Sequence, residues 1–274
     1  MNLWDLKLFV FDLDGCLYRG EEAIPGAREL LRFLRSKGKR IGFLTNNSRQ
    51  TAAEIGEKLT RMGLDASAEE VVAATDYAGR YVLDRYGTSA VKVAGSGALQ
   101  AAVAAAGHRV LPLGDPEVPR VIVLGRDVEF TYEKLTVIAN DAVRGARVVA
   151  ANPDGFHPGE GGRRVPETGA LAASVEAMTG ERVESYGKPA AYLFLRAMER
   201  RRALPEESVM IGDNYHTDIA GGMSAGMRTV WLSDNAGGTP GTPPEGARRP
   251  DLAFRNIAEL YEFLRGGERV TAPS

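Results

Sequence analysis

Leu8-Phe9-Val10-Phe11-Asp12-Leu13-Asp14-Gly15 is the stretch whose reading decides the fold. Four strand-forming apolar residues stop at two carboxylates one residue apart, and a glycine follows. A short apolar run closed by a turn signal reads as a buried parallel strand that delivers acid groups to its carboxyl end. In open α/β sheets that end is where ligands bind. Side chains alternate along a strand, so Asp12 and Asp14 face one pocket only where the strand is ending. Two carboxylates about 4 Å apart repel by roughly 4 kcal/mol at an effective dielectric near 20. Both stay ionised only beside a metal ion or a lysine. Taken alone the string also reads as an acidic turn, since Asp-Gly is a common turn pair.

The 274 residues suit one large or two modest domains with a substantial core. A formal charge of −2 with acids and bases interspersed argues against a nucleic-acid binder and against an anionic-membrane partner. The single cysteine, Cys16, excludes an internal disulfide framework. The chain opens on Met1-Asn2-Leu3-Trp4-Asp5 without a basic leader, and no apolar stretch approaches about 18 residues. The expectation is a cytoplasmic protein. Residues 234–250, crowded with Gly and Pro, and the tail 266–274 read as irregular.

Residues 16–25 read as a loop or small flap. Ala27, Leu30, Leu31 and Leu34 then give a helix one apolar face, ending near Gly38. Ile41-Gly42-Phe43-Leu44 is a second short strand ending in Thr45-Asn46-Asn47-Ser48, and Ala52, Ile55, Leu59 and Met62 place a helix after it. A hydroxyl and amides at a strand-to-helix junction suit a phosphate cradle, and equally suit ordinary capping by Asn47 or Ser48. Strands follow at 91–94, 120–124 and 147–151, and helices at 98–106 and 131–143, the latter with Leu135, Ile138, Ala139 and Ala142 on its apolar face. This block carries no strand-end chemistry and reads as an inserted α/β domain. Its most distinctive piece, residues 152–166, reads as a surface loop holding Phe156, His157, Arg163 and Arg164. Gly187-Lys188-Pro189 then precedes a helix expected to carry Tyr192, Leu195 and Met198 on one face, with Pro189 at its first position. Val209-Met210-Ile211 is a buried strand ending in Gly212-Asp213-Asn214-Tyr215-His216-Thr217-Asp218. A last core strand spans 227–232, and Asn256 with Glu259 caps a closing helix.

Three strands thus end in DxD, Thr-Asn-Asn and GDxxxTD, with a lysine at a helix start between the last two. In order and type this set resembles the four motifs of the haloacid dehalogenase (HAD) superfamily of phosphotransferases. The long insertion resembles the C2-type cap of the subgroup that includes NagD-like, 4-nitrophenylphosphatase-like and pyridoxal phosphate phosphatase enzymes. The resemblance implies a Rossmann-like parallel α/β core over 1–77 and 185–274, with an inserted α/β cap over 78–184 that selects substrate. It implies that Asp12 is the nucleophile and Asp14 the general acid and base. It implies Mg²⁺ held by Asp12, Asp213 and the backbone carbonyl of Asp14, which supplies the positive charge the paired carboxylates need. Thr45, Asn46, Asn47 and Lys188 match phosphoryl-binding positions. Asp218 matches a carboxylate that orients Lys188 or metal-bound water.

His157-Pro158 with Gly162, Arg164, Pro166 and Thr168-Gly169 resembles the substrate-specificity loop of pyridoxal phosphate phosphatases, and the resemblance implies that His157 contacts substrate. A solvated loop histidine is the plain alternative. Ala151 stands where many relatives have Thr, and Cys16 where Val or Thr is frequent; neither removes a catalytic group. The implied activity is hydrolysis of a small phosphate ester. Subgroup members often pair through the cap, so a homodimer is expected. Other phosphotransfer or dehalogenase chemistry on this fold, and a non-catalytic phosphate-binding protein, are the competing readings; the presence of Asp12, Asp14 and Lys188 weighs against the last.

Overall fold

A computed structural model describes residues 2–233 and 243–267. Of the two stretches expected to be irregular, residues 234–242 and 268–274 lie outside the described residues. The chain divides into two compact units: Met1–Thr45, Ala53–Val72 and Lys188–Ser274 form the first, Asn46–Ala52 and Ala73–Gly187 the second.

The first unit is built on a six-stranded sheet of β1 (Leu8–Phe11), β4 (Arg40–Thr45), β5 (Val71–Ala73), β13 (Ser208–Gly212), β14 (Arg228–Leu232) and β15 (Leu252–Phe254). Their order across the sheet is β15-β14-β13-β1-β4-β5. β1 runs parallel to both neighbours, with Phe11 opposite Ile211 and Phe43. All four of its residues are buried, which is why it reads as one unbroken apolar run rather than an alternation. The expected loop at 16–25 contains a small hairpin of β2 (Tyr18–Arg19) and β3 (Glu22–Ala23). Helix α1 (Ala27–Ser36) buries Ala27, Leu30, Leu31 and Leu34, the face the periodicity predicts.

Two details of this unit differ from expectation. Helix α7 (Ala191–Arg200) begins two residues after Pro189, with Ala190 as its N-cap. It buries Leu193, Phe194, Ala197 and Met198, while Leu195 is exposed. Tyr192-Leu193-Phe194-Leu195 is apolar all round, so its spacing fits two helix phases and only packing chooses between them. At the closing helix α9 (Ile257–Gly267), Asn256 Oδ1 accepts from the Glu259 amide at 3.1 Å as expected. The Glu259 carboxylate instead accepts from the Arg255 amide, at 2.6 Å.

The second unit has a five-stranded parallel sheet of β6 (Ala90–Ala94), β7 (Arg109–Leu111), β8 (Val121–Leu124), β9 (Arg147–Ala150) and β12 (Glu184–Ser185), ordered β12-β9-β8-β6-β7. Its core gathers Ile122, Leu124, Ile138, Ala172 and Val175, the last three from helices α5 (Tyr132–Val143) and α6 (Thr168–Thr179). Asp141 on α5 is buried because it pairs with the fully buried Lys92 of β6 at 2.7 Å. The expected loop at 152–166 contains an antiparallel hairpin, β10 (Phe156–Pro158) with β11 (Arg164–Pro166). Its strands are three residues long and each ends in proline, which hides the period-2 signal.

Candidate active site

The acid groups lie at the carboxyl ends of adjacent strands. The Asp12 amide donates to Ile211 O at 2.9 Å, so Asp12 is held by the sheet one residue beyond β1. The chain then turns through Gly15, whose φ of 84° lies in the left-handed region that favours glycine. A Cβ on Gly15 would stand 2.5 Å from Asp213 Oδ2, so only glycine lets this turn abut that carboxylate. At the end of β13, a Cβ on Gly212 would stand 2.3 Å from Asp218 Oδ2. Asn214 shapes the loop between these acids: its Oδ1 accepts from the His216 and Thr217 amides, and its carbonyl accepts from the Asp218 amide.

Lys188 is 3% exposed, and its ammonium is fully directed. Nζ donates to Asp12 Oδ1 at 2.5 Å, to Asp218 Oδ1 at 2.7 Å and to Leu44 O at 3.2 Å. Asp218 also accepts from Thr217 Oγ1 on Oδ1 and from the Asn214 amide on Oδ2. Asp12, Asp213 and Asp218 each offer an oxygen within 4.8 Å of the others'. Both oxygens of Asp218 are already engaged by protein donors, Lys188 among them, so of the three carboxylates Asp12 and Asp213 are the ones that could hold a cation. The Asp14 side chain is exposed and stands outside this trio.

Burial pushes the Asp12 carboxyl well above its usual range; Lys188 opposes the rise, and Asp218 and Asp213 add to it. Burial, followed by the Asp218 charge, pushes Asp213 up to about 7. Burial works against the Lys188 ammonium, but Asp12 and Asp218 outweigh it and hold the lysine above its ordinary value. Three clustered carboxylates against one ammonium leave a negative surplus that a small divalent cation would neutralise. The all-oxygen donor set suits Mg²⁺.

A pH dependence follows from these shifts. An acid whose pKa is higher folded than unfolded favours its neutral form in the fold, so the metal-free protein loses stability as pH rises from about 4 to about 7 through Asp213. A divalent cation at Asp213 would require the ionised form and compete with that proton. The rise in Tm on adding Mg²⁺ is therefore expected to be clearly larger at about pH 8 than at about pH 5.5. Thermal unfolding at the two pH values, with and without metal, checks this; equal shifts would contradict it.

Cys16 Sγ is buried against Ile211 O at 3.8 Å, and burial and the Asp12 charge push its thiol well up. It is a small packed residue rather than a reactive thiolate.

Thr45 closes β4, whereas Asn46 and Asn47 fall in the second unit. Asn46 Nδ2 donates to Asp154 Oδ2 at 2.9 Å, and its carbonyl accepts from Asn152 Nδ2 at 2.8 Å. Asn47 Oδ1 accepts from the Arg49 and Gln50 amides, both at 2.9 Å, so its carboxamide serves as the turn cap that the sequence also allowed. His157 lies on β10 with Nδ1 2.8 Å from Glu167 Oε1, and Arg126 Nη1 approaches the same oxygen at 3.4 Å. Beside it, the Arg164 guanidinium stands 4.5 Å over the half-exposed Phe156 ring. Glu167 and Arg126 were not legible in the sequence as partners of His157; the one available signal was an acid directly before helix α6, an arrangement that usually means only a helix start.

Residues 9–109 match the family model described as haloacid dehalogenase-like hydrolase, and residues 185–260 match a second described as HAD-hydrolase-like. Human glycerol-3-phosphate phosphatase is 36% identical over 299 residues, covering 96% of this chain and 92% of the relative. The acid sugar phosphatase of Staphylococcus aureus is 34% identical over 257 residues, covering 94% of each chain. Among solved structures, 4-nitrophenylphosphatase from Thermotoga maritima superposes with a TM-score of 0.83 at 31% identity, over 95% of this chain and 98% of its own.

Proposed function

Because this chain belongs to the haloacid dehalogenase-like hydrolases and is a phosphatase of the subgroup that includes 4-nitrophenylphosphatase-like enzymes, we propose that it is a Mg²⁺-dependent phosphomonoesterase that works through an aspartyl phosphate on Asp12. The observation that carries this reading is Asp12 itself, held at the end of a central strand with one oxygen fixed by Lys188 at 2.5 Å and Asp213 close by. Fixing the carboxylate aims it at phosphorus and removes reorientation from the barrier.

In the first half-reaction an Asp12 oxygen bonds to phosphorus as the ester P–O bond breaks, and Asp14, protonated, gives its proton to the departing alkoxide. In the second, Asp14 takes a proton from water as that oxygen bonds to phosphorus; the Asp12–phosphorus bond breaks and inorganic phosphate leaves. Having given up its proton in the first half, Asp14 is already the base the second half needs, and the water proton restores its acid form. Lys188, through its charge, and Thr45 serve the transferring phosphoryl oxygens, and Asp218 keeps the lysine in place. Asp12, Asp213 and the Asp14 carbonyl would hold Mg²⁺, whose charge offsets that of the phosphoryl group.

We assign substrate choice to the inserted unit, through His157 and the β10–β11 hairpin. Relatives named for glycerol 3-phosphate and for sugar phosphates put these esters first among candidates. Hydrolysis of a panel with and without Mg²⁺, including pyridoxal phosphate, nucleotides and 4-nitrophenyl phosphate, tests the reading: metal-dependent turnover with one preferred ester is expected. His157→Ala should reorder the rates across that panel while leaving the Mg²⁺ requirement unchanged; identical relative rates would dismiss a role for His157 in specificity.

A further inference from the structure

Asp213 is one residue past the last ladder pair between β13 and β14, in which Gly212 stands opposite Trp231. There the indole of Trp231 reaches the backbone: its Nε1–H donates to Asp213 O at 2.9 Å. A buried side chain thus holds the peptide plane beside the Asp213 side chain. On its other side the Asp213 carboxylate abuts Gly15, where a Cβ would collide with it.

The indole is itself held. Trp231 is 4% exposed and packs edge-on against Tyr215, with ring centroids 5.6 Å apart. The Tyr215 hydroxyl donates to Arg248 O, and Ala247 packs against the same cluster. The hydrogen bond to Asp213 therefore comes from a ring that cannot swing away without unpacking a buried aromatic pair.

We propose that Trp231 is a positioning residue of the cation site, setting the affinity of Asp213 for its divalent ion through the indole–carbonyl hydrogen bond. It holds this role only if Asp213 binds the cation, as proposed above. Groups that orient a metal ligand typically change metal affinity about 10- to 100-fold when removed. A role in packing alone changes folding stability and leaves affinity untouched.

Trp231→Phe keeps an aromatic ring against Tyr215 and removes the N–H donor together with part of the buried bicyclic bulk. Titration of Mg²⁺ against Tm is expected to show affinity weakened at least about tenfold, with metal-free Tm lowered by the lost buried bulk and turnover restored by excess Mg²⁺. Affinity within about twofold of the unsubstituted protein would overturn the proposal. If the unsubstituted protein's Tm ignores Mg²⁺, the cation reading itself falls, and the role of Trp231 with it. Should Trp231→Phe not fold, Trp4→Phe leaves Trp231 as the sole tryptophan of the chain's two. Its fluorescence is then expected to change with Mg²⁺ and to saturate together with the thermal shift; emission that stays constant through saturation would overturn the proposal.

Discussion

Asp12→Asn is expected to lower turnover by at least about 10⁴-fold, the scale seen when a covalent nucleophile is removed, and to leave the protein folded. The two halves of this result have separate causes. An amide cannot form the acyl phosphate, so the double-displacement route closes. Stability is spared because the Asp12 charge is a burden in the metal-free fold: burial and its acidic neighbours push its pKa well up, so the fold favours the neutral form more than the unfolded chain does. A neutral isostere relieves that burden, while Lys188 keeps its bonds to Asp218 and Leu44. Metal-free Asp12→Asn should therefore melt at or above the Tm of the unsubstituted protein near pH 7.5. A folded variant with substantial turnover would refute the nucleophile assignment.

Lys188→Met is expected to act in the opposite sense on stability. Its ammonium is the shared partner of Asp12 and Asp218, both buried. Removing one member of a buried charge pair usually costs about 3–5 kcal/mol, because the remaining charge has neither water nor partner. The sign of the pH dependence is fixed. Without the lysine, the Asp12 pKa, already raised, rises further above its unfolded value, so the folded state binds more protons than the unfolded chain and stability falls as pH rises through that window. The deficit relative to the unsubstituted protein should accordingly be largest near pH 8 and shrink toward pH 5. Turnover should drop by about 10³-fold, the upper range for loss of one donor to a developing charge. Denaturant melts at the two pH values check the first part; a deficit independent of pH would show that Lys188 matters for packing rather than charge.

Where the first unit's acidic residues stand was legible in the sequence because a fully buried parallel strand is apolar along its whole length. The first polar residue after Phe11 is therefore the first one at the sheet's edge. The same logic located Asp213 after Ile211 and Thr45 after Leu44. What the sequence could not supply was the partnership across the chain: that Lys188 bonds residues 176 and 30 positions away follows from strand order, not from local pattern. Where a segment is apolar on every side, as at Tyr192-Leu193-Phe194-Leu195, periodicity left the buried face of α7 undetermined and packing decided it. The β10–β11 hairpin was hidden by its prolines and glycines, and with it the approach of Glu167 to His157. Trp231 was legible only as a core residue, because the partner of its indole is a backbone carbonyl, which leaves no trace in a side-chain pattern.

The most direct test of the covalent route uses Asp14→Asn with 4-nitrophenyl phosphate, whose leaving group departs without needing a proton. The first half-reaction is then expected to run and the second to stall, since no base remains to activate water. Rapid mixing with Mg²⁺ should release one equivalent of nitrophenolate per site in a burst, and acid-quenched protein should carry a phosphoryl group on the peptide containing Asp12. Release of nitrophenolate with no burst and no phosphoryl group on Asp12, or a phosphoryl group on another residue, would contradict the account.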